Sequence, residues 1–323
     1  MVEAHGDAGP EAEAMNDNRR RPVRSGDPRV VVTGGAGFVG HHLVAALVSG
    51  GARVLVIDDL STGRADRLPP DVELERLDIV TGDVGAPMRA WRPGLIYHLA
   101  AQASVPASEA FPERDLQVNG VGTLRIVAAA RASGVGRIVF TSSGGAVYGD
   151  TGTPATERSP ARPTSVYGIH KLLAEQYLSR SGIATAIARP SNIYGPGQDA
   201  RGEGAVVASF IAAARVGGPI VIHGDGSQER DFVHVLDVVA ALIALGAESA
   251  SGIWNVSFGT STAIVDLASA VERIAGRGLQ RQFGPLRAGD VHVSRIRSRA
   301  LRRLGWAPRI RLEDGLRGLL SGE

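Results

Sequence analysis

The chain has 323 residues, 44% hydrophobic and 21% charged, a balance that excludes a chain disordered throughout and allows one large domain or two smaller ones. It has no cysteine, which excludes a disulfide framework, a thiolate metal site and a cysteine nucleophile. The net charge is +2 and no apolar run reaches about 18 residues, so neither nucleic acid nor a membrane is indicated as a partner.

Residues 1–27 differ in composition from the rest of the chain. They are polar, lack the apolar centre of a signal peptide and carry a basic run at 19–21. The segment is predicted to be a disordered, solvated tail, in preference to a basic arm for an acidic partner.

After the tail, short β-branched runs predict strands, and apolar residues at helical spacing predict helices. The predicted strands are 29–33, 53–57, 95–99, 137–141 and 184–188. The predicted helices are 38–49, 123–132 and 166–179. This alternation is typical of an α/β fold with a doubly wound, Rossmann-like parallel sheet covered on both faces. Beyond Pro190, glycine-rich loops mix with helices at 206–215 and 265–274, which indicates a smaller C-terminal α/β unit.

A glycine-rich segment, TGGAGFVG at 33–40, joins the first predicted strand to the first helix. Glycines at 34, 37 and 40 would tighten the turn, admit a pyrophosphate close to the backbone and let the helix pack on the strand. The helix N-terminus would then offer free N–H groups to the phosphates. A purely structural turn is the alternative, but the position between strand and helix favours a dinucleotide site.

Asp58 ends the second predicted strand, where a carboxylate can accept a hydrogen bond from a ribose 2′-hydroxyl and would repel a 2′-phosphate. This position favours NAD over NADP. For the next residue, Asp59, a turn or capping role is a fair alternative. Asp78 and Ile79 are spaced to lie beside the adenine.

Tyr167 and Lys171 are four residues apart on a predicted helix and therefore share one face. Lys171 is the only lysine in the chain, although arginine is abundant, which indicates a site that needs a compact ammonium group. A nearby ammonium and a positive nicotinamide ring would lower the pKa of the phenol and make Tyr167 a usable base. The helix follows a strand that ends in Thr141, Ser142 and Ser143.

Together these motifs resemble the extended short-chain dehydrogenases/reductases, and within them the NAD-dependent epimerase/dehydratase family. The matching segments after residue 28 stand in the family's order. They are TGGAGFVG (33–40), IDDLSTG (57–63), YHLAAQASV (97–105), NGVGT (119–123), SSGGAVYGD (142–150), YGIHK (167–171), RPSNIYGPGQ (189–198), HGDGSQERDFVHVLDV (223–238) and RAGDV (287–291).

The resemblance implies NAD as the cofactor. Leu99, Ala100 and Ala101 would line its nicotinamide end, and Asn119 would support the cofactor side. The residues expected at the cofactor are Gly34, Gly37, Phe38, Val39, Gly40, Asp58, Asp59, Leu60, Ser61, Thr62, Gly63, Asp78, Ile79, Leu99, Ala100, Ala101, Asn119, Tyr167 and Lys171.

For the substrate, the resemblance implies a UDP-sugar. Asn192 would meet its phosphates, Arg230 and Arg287 would pair with the pyrophosphate, and Asp290 would hold the uridine ribose. For the two arginines a surface ion pair is the alternative. Tyr167 would be the base, and Lys171 would orient Tyr167 and the nicotinamide ribose.

One departure from the family concerns a hydroxyl that bonds the sugar O4. Many epimerases carry a Ser or Thr four residues before the Tyr of VYG, and here that Tyr is Tyr148, so the position is Gly144. Ser143, Ser142 or a water would have to replace it. Ser143 is therefore expected at the substrate, and both serines are catalytic candidates.

The implied reaction is 4-epimerisation of a UDP-hexose, UDP-glucose or UDP-galactose, through a 4-keto sugar. Elimination chemistry is disfavoured because Gly145 and Ala146 stand where dehydratases carry an acidic pair. A uronate substrate is disfavoured by Gly197 and Asp199, although Arg201 keeps that alternative open. A non-catalytic NAD-sensing protein would be expected to lose Tyr167 or Lys171.

The expected organisation is an NAD-binding domain at 28–189, to which 233–258 returns, and a nucleotide-sugar-binding domain at 190–232 and 259–323. A homodimer in the cytoplasm is expected. No metal site is expected, and His98, His223 and His234 are interpreted as packing or hydrogen-bonding residues. Asp237 is expected to cap the helix that follows it, and the three Trp and seven Phe are assigned to the core.

Overall fold

A computed structural model describes residues 28–200, 205–247, 250–287 and 289–322. The predicted tail and Arg201 lie outside this range. The strands are β1 Arg29–Thr33, β2 Arg53–Asp58, β3 Glu73–Arg76, β4 Leu95–His98, β5 Arg137–Thr141, β6 Ala184–Pro190, β7 Asn192–Tyr194, β8 Ile220–His223, β9 Glu229–His234, β10 Gly252–Val256, β11 Ser261–Ala263, β12 Arg281–Gly284 and β13 Val293–Ser294.

The helices cover both faces of the main sheet and build the C-terminal region. They are α1 Phe38–Ser49, α2 Gly85–Trp91, α3 Val105–Ala110, α4 Pro112–Asp115, α5 Thr123–Ala132, α6 Gly144–Tyr148, α7 Val166–Ser179, α8 Val206–Val216, α9 Val235–Leu245, α10 Ile264–Ala275, α11 Arg299–Arg303 and α12 Leu312–Ser321. A π-helical stretch, Leu116–Gly122, joins α4 to α5, and π-helical turns are frequent at functional sites.

The main sheet has seven parallel strands in the order β10-β6-β5-β4-β1-β2-β3, which confirms the predicted fold class. Successive residues of β1 serve opposite faces: Val30 and Val32 pack toward α1 and α9, whereas Val31 packs toward α2 and α5. Burial on both faces explains why these strands are uninterrupted apolar runs. The strand order reverses at β1 and β4, so a crevice opens at their carboxyl ends, where ligands of such sheets bind.

The predicted elements are present, with small differences at their ends. Strand β2 includes Asp58, β4 ends at His98 and β6 continues to Pro190. Helices α1, α5 and α7 begin and end where predicted, and α8 and α10 extend slightly beyond their predicted bounds.

The C-terminal region has its own core. Strands β11, β9, β13 and β7 form one small sheet, β12 and β8 form another, and Tyr194, Phe210, Leu267 and Leu316 pack between them and the helices. Strand β10 pairs with β6 at the edge of the main sheet, and α9 packs on α1. No helix among the described residues is long and apolar enough to cross a membrane.

Two expectations about packing are wrong. Phe111 and Phe283 are 64% and 60% exposed, so they do not belong to the core. Asp237 does not cap α9, because that helix begins at Val235 and the ring of His234 accepts from its first turn. The carboxylate of Asp237 instead accepts from the backbone of Arg309 and Ile310 and fixes the chain before α12.

Candidate active site

The glycine loop lies between β1 and α1 at the reversal of strand order. Gly34 has φ +70°, and a Cβ there would lie 2.6 Å from the backbone nitrogen of Ala100, so no larger residue fits. At Gly40, a Cβ would collide with the carbonyl oxygen of Gly34. Gly37 is the N-cap of α1 and provides no side-chain cap, so the first N–H groups of the helix remain available to a phosphate. Phe38 and Val39 form this open first turn.

Asp58 links the glycine loop to the segment after β2. Its two carboxylate oxygens accept from the backbone N–H groups of Ala36, at 3.0 Å, and Leu60, at 2.9 Å. Burial raises the pKa of Asp58, and the two N–H groups partly counter that rise. Each oxygen retains a lone pair for a further donor, as a ribose hydroxyl requires. Gly63 lies against Asp58, because a Cβ there would be 2.8 Å from its Oδ1.

The neighbouring cofactor candidates form turns on the same side of the sheet. Asp59 accepts from the backbone N–H and the hydroxyl of Ser61, so it closes a turn over Leu60 that leads into Thr62. Asp78 closes a second turn by accepting from the backbone of Val80, at 2.7 Å. Ile79 is buried against the π-helical stretch, since a Cβ at Gly122 would lie 2.6 Å from its Cδ1.

The loop after β4 is held on β1. Leu99 donates its N–H to the carbonyl of Thr33 at 3.0 Å, and Ala100 donates to the Thr33 hydroxyl at 3.3 Å, with Ala101 next in the loop. Asn119, from the π-helical stretch, donates to the carbonyl of Gln102 at 2.9 Å. Its Oδ1 is buried and accepts no hydrogen bond from the described residues, as expected of a group that serves a ligand.

Tyr167 and Lys171 are buried one above the other on α7, whose first turn is capped by the side chain of Ser165. Burial raises the pKa of Tyr167 well above its usual value, and a hydrogen bond with Ser143 counters the rise. Burial lowers the pKa of Lys171 to about 8, against the pull of two buried carboxylates, Glu175 and Asp115. The ammonium Nζ lies 4.4 Å from the ring centroid of Phe140.

Burial has the largest effect on the Tyr167 pKa, and the hydrogen bond with Ser143 is the contact that favours the phenolate. The Lys171 ammonium lies over the ring of Phe140, and the charges of Glu175 and Asp115 favour its protonated form. A buried ammonium with a pKa near 8 can give up a proton near neutrality, which a guanidinium cannot do.

The two serines after β5 have different surroundings. Ser143 bonds Tyr167 and caps α6, where the N–H of Ala146 donates to its hydroxyl. Ser142 points elsewhere: its hydroxyl donates to Glu175 at 2.5 Å, inside the protein. The structure therefore brings Ser143 to the phenol and keeps Ser142 in a buried ionic cluster.

Gly144 has no room for the hydroxyl side chain that many relatives of this type carry. A Cβ at Gly144 would lie 2.5 Å from Cδ1 of Ile296 and 3.0 Å from the carbonyl oxygen of Arg189. Ile296 fills the space that a Ser or Thr would need. The glycine that replaces a Ser or Thr at position 144 is thus matched by a larger side chain from the C-terminal region.

Sequence reasoning did not find a buried ion pair between Glu175 of the Tyr-Lys helix and Arg189. Arg189 donates to both oxygens of Glu175, at 2.9 and 2.5 Å, and its guanidinium stacks 4.7 Å from the ring centroid of Tyr148. The signal that could have indicated it is the spacing of Glu175, one helical turn after Lys171. The pair connects α7 to β6.

A cavity of about 300 Å³ lies mostly in the C-terminal region and is lined by every residue expected at the phosphates and uridine ribose of the substrate. Asn192, Arg230, Arg287 and Asp290 line its polar side. Arg230 is largely buried and pairs with Asp290, and it also donates to the carbonyl oxygens of Glu229 and His292. The expected roles of Arg230 and Asp290 thus fall on two groups that bond each other.

Arg287, in contrast, is exposed. One of its guanidinium nitrogens lies 2.9 Å from Nε2 of His223, at the rim of the cavity.

His98 is fully buried between the hydroxyls of Thr33 and Thr123, at 2.7 and 3.0 Å, and burial lowers its pKa to about 3. The histidines expected to form hydrogen bonds do so. Within the described part of the chain, no group of three or more His, Asp or Glu residues could hold a metal ion.

The glycine loop at the reversal of strand order, with a buried Tyr-Lys helix beside it, defines the dinucleotide-dependent class of short-chain dehydrogenase/reductase folds. Residues 30–257 match the NAD dependent epimerase/dehydratase family. The chain belongs to that family, and NAD is its cofactor. The open first turn of α1 and the unpartnered Asn119 oxygen fit that cofactor.

Individual proteins resemble the chain over most of its length. A UDP-glucose 4-epimerase of Mycolicibacterium smegmatis is 40% identical over 300 residues, which cover 89% of this chain and 96% of that protein. The solved UDP-glucose 4-epimerase of Thermus thermophilus in complex with NAD has a TM-score of 0.88 and 37% identity, covering 91% of this chain and 98% of the other. The Thermotoga maritima UDP-glucose 4-epimerase with UDP-glucose has a TM-score of 0.88 and 35% identity, covering 91% and 97%.

Proposed function

We propose that this protein is an NAD-dependent isomerase that interconverts UDP-glucose and UDP-galactose through a 4-keto sugar. The observation that carries the proposal is the pairing of two sites. A buried Tyr-Lys helix with Ser143 on its phenol packs on α3, and α3 also borders the cavity lined by two arginines, Asn192 and Asp290. The likeness to UDP-glucose 4-epimerases over about nine tenths of the chain supports it.

The chain's own residues would hold the cofactor along the carboxyl edge of the main sheet. The glycine loop and the first turn of α1 would bind the pyrophosphate, and Asp58 would accept from the adenosine ribose. The turns around Asp59 and Asp78 would border the adenosine, and the loop 99–101 with Asn119 would border the nicotinamide. When bound, NAD supplies reversible hydride acceptance from the sugar C4.

Proton transfer would fall to Tyr167. As the phenolate, it would take the proton from the sugar O4 and return it to the same oxygen after the 4-keto sugar has turned over. Ser143 would align O4 with the phenol, and Lys171 would orient the nicotinamide ribose and stabilise the phenolate. Ser142, held by Glu175, would support this arrangement from below.

The substrate's diphosphate and uridine would lie in the cavity of the C-terminal region. Arg287 stands exposed at the rim and could meet the diphosphate without losing a carboxylate partner. Arg230 would donate to the diphosphate from the wall while Asp290, freed from that pair, accepts from the uridine ribose. Asn192 would donate to the phosphate nearest the sugar. Anchoring the nucleotide in this way leaves the sugar free to rotate.

The structure disfavours elimination chemistry at this site. A Cβ at Gly145 would lie 3.2 Å from the hydroxyl of Ser294 and 3.8 Å from Oδ1 of Asn192, so this position faces the substrate side. Neither Gly145 nor Ala146 offers a group that could move a proton at C5 or C6. Epimerisation needs no such group.

The domain division is part of the proposal. Residues 28–189, with 233–258, would bind NAD, and 190–232 with 259–323 would bind the nucleotide sugar. The pairing of β10 with β6 and the packing of α9 on α1 support the return of 233–258 to the first domain.

We also propose a homodimer in the cytoplasm. Large apolar side chains are exposed along the α4–α5 segment and α7, which pack on each other, and a second copy would cover them. These side chains are Phe111, Leu116, Leu124 and Ile169. The cytoplasmic location rests on the substrates, because NAD and UDP-sugars are charged molecules that membranes retain inside the cell.

The test is to incubate purified protein with UDP-glucose, and separately with UDP-galactose, and to follow interconversion. Both directions should reach the same ratio of sugars without added NAD once the cofactor is bound. Tyr167→Phe should lower the rate by about 100-fold or more, the usual contribution of a general base, whereas Tyr177→Phe on the same helix should not. Turnover of a UDP-uronate in preference to both hexoses would contradict the proposal.

A further inference from the structure

The helix α7, which carries Tyr167 and Lys171, begins with three backbone N–H groups that are all bonded by side chains. Such groups have no partner inside their own helix, and one N-cap side chain ordinarily serves one of them. Here Ser165 is that cap, and its hydroxyl accepts from the N–H of Gly168 at 3.1 Å. The two N–H groups before Gly168 are bonded from another part of the chain.

Both of these partners lie on the short helix α3. Val166 donates to Oε1 of Glu109 at 2.8 Å, and Tyr167 donates to the hydroxyl of Ser108 at 3.0 Å. Ser108 is fully buried, and its hydroxyl donates to the carbonyl oxygen of Val105 at 2.7 Å. Its oxygen therefore remains an acceptor for Tyr167. The backbone of the proposed base is thus bonded directly to a second helix.

The start of α3 is held by the segment that follows the loop 99–101. The hydroxyl of Ser104 caps α3, and the N–H of Ser104 donates to Gln102. Gln102 also donates to Oδ1 of Asp115 at 2.7 Å, and Asn119 donates to the same oxygen at 3.0 Å. These bonds tie α3 to the residues expected around the nicotinamide.

Another side of α3 borders the substrate cavity. Val105 and Pro106 line that cavity. Gly289, with φ +72°, lies against α3 from the C-terminal region, because a Cβ there would be 3.0 Å from Oε1 of Glu109. The next residue is Asp290, which is expected to hold the uridine ribose. The cavity wall and the first turn of α7 therefore share α3 as a support.

We propose that Ser108 and Glu109 are positioning residues, which hold the first turn of α7 so that Tyr167 stays within reach of both the nicotinamide and the sugar. The proposal follows from the three attachments of α3, to the cofactor side, to the substrate cavity and to the backbone of Tyr167. Neither residue touches the reacting atoms. A misplacement of about 1 Å can nevertheless cost about 100-fold in rate. This role rests on the proposed function, since Tyr167 is the base of that reaction.

The first test measures kcat and KM of Ser108→Ala on NAD-loaded protein. The Tyr167 N–H loses its acceptor, so the phenol is less firmly fixed relative to the sugar. We expect kcat to fall by about tenfold, the range of one lost hydrogen bond, and KM to change by less than about twofold. The matched control is Ser181→Ala, just beyond the far end of α7. Ser181 is also buried and accepts from Ile183 at 3.1 Å, and this variant should keep the wild-type kcat.

Glu109 allows a rescue by a conservative variant. Glu109→Gln keeps an oxygen for the N–H of Val166, so its kcat should stay close to that of the wild type. Glu109→Ala removes the acceptor and should lower kcat by about threefold. This loss is smaller than for Ser108→Ala because Glu109 is exposed and water can replace its oxygen. Equal rates for the two Glu109 variants would remove Glu109 from the proposal.

Hydrogen exchange at the amide of Tyr167 provides a readout that does not depend on the reaction. Ser108→Ala should speed this exchange by about tenfold or more, and Ser181→Ala should not. A full kcat for Ser108→Ala, an equal loss of kcat in Ser181→Ala, or unchanged exchange at Tyr167 would each overturn the proposal. If Ser108→Ala does not fold, the two Glu109 variants and exchange at Val166 decide it.

Failure of the proposed function is distinguishable from failure of this inference. If the wild-type protein does not epimerise UDP-hexoses, the proposed function fails. The exchange measurement still decides whether Ser108 holds the backbone of Tyr167 in place.

Discussion

The two regions that meet at the candidate site hold their charged groups in different ways. At the edge of the main sheet, Lys171 and the Glu175–Arg189 pair are buried, and each has a fixed partner or ring beside it. In the C-terminal cavity, the largely buried Arg230 bonds Asp290, whose side chain is 36% exposed, and the exposed Arg287 meets His223 at the rim. The first set can be disturbed only at a cost in folding, whereas the second can exchange partners with a ligand.

This difference assigns separate tasks to the two regions. Electrostatic groups that act on a reacting atom are most effective when they need not reorganise, and the sheet edge meets that condition. A nucleotide that must enter and leave needs ligands whose own bonds are weak enough to replace. Changes at the sheet edge should therefore lower kcat, and changes in the cavity should raise KM.

The largest effect is expected from Lys171→Arg, which keeps the charge but not the shape or the proton. Lys171 is 2% exposed, so a planar guanidinium would displace Phe140 or the carboxylates around it. We expect kcat to fall by about 100-fold or more, the range of a lost acid–base group, with KM changed much less. Steady-state kinetics on NAD-loaded protein measures both.

The control is the opposite substitution, arginine to lysine, on an exposed helix. Arg317→Lys on α12 keeps an ion pair with Glu313 at the surface and should leave kcat as in the wild type. Comparable rates for Lys171→Arg and the wild type would show that any buried cation serves, and would remove the contrast between the two regions.

The sequence predicted the sheet well because its strands are buried on both faces, and their apolar runs are unambiguous. Two strands of the main sheet were missed. Glu73, Glu75 and Arg76 leave β3 mostly exposed, without an apolar run, and the short run of β10 is interrupted by Asn255. The short C-terminal strands were missed for a similar reason, since their pairing depends on distant partners such as β9 with β13. Local pattern carries no information on such long-range pairing.

Site residues that belong to a sequence motif were predicted, whereas contacts between site residues distant in sequence were not. Tyr167 and Lys171 follow from their spacing, and the structure finds both buried on one helix. The bond of Ser142 to Glu175 and that of Asp115 to His170 join residues 33 and 55 positions apart. Ile296, which fills the space at Gly144, is also distant from it in sequence. A local sequence pattern could therefore not reveal that contact.

A second prediction compares the adjacent serines. Ser143→Ala removes the hydroxyl that bonds Tyr167, and an unpaired partner of this kind costs about 1 to 3 kcal/mol. That range corresponds to a fall in kcat of about 5- to 150-fold. Because the lost bond had lowered the pKa of Tyr167, the acidic limb of the kcat profile should move to higher pH.

Ser142→Ala is the matched comparison for that variant. It removes a hydroxyl that donates to Glu175, so it should lower the free energy of unfolding by about 1 to 2 kcal/mol and change kcat less. Urea unfolding and NAD content, measured on both variants, separate the two effects. A full rate for Ser143→Ala would assign the alignment of O4 to a water or to the backbone.

A third prediction concerns the cavity. Arg230→Gln should raise KM for the UDP-hexose by about tenfold or more, since a hydrogen bond to a charged group is worth about 1.5 to 3 kcal/mol, while kcat stays nearer the wild-type value. Arg287→Gln should raise KM less, because its guanidinium is exposed to solvent. Equal losses of kcat in both variants would place these arginines with the sheet-edge groups and contradict the division of tasks.

The smallest effect is expected at Asp58, whose carboxylate holds the glycine loop and is also expected to select the cofactor. Its oxygens fix the glycine loop through Ala36 and Leu60, and its charge should repel a 2′-phosphate. Asp58→Asn keeps one acceptor and removes the charge, so NADP affinity should rise and NAD affinity fall, each by about tenfold or less. Titration of cofactor-free protein with both dinucleotides measures the change, and Asp66→Asn, at an exposed pair with Arg64, is the control. Equal affinities of the wild type for the two cofactors would refute the charge argument and leave Asp58 as a brace of the loop alone.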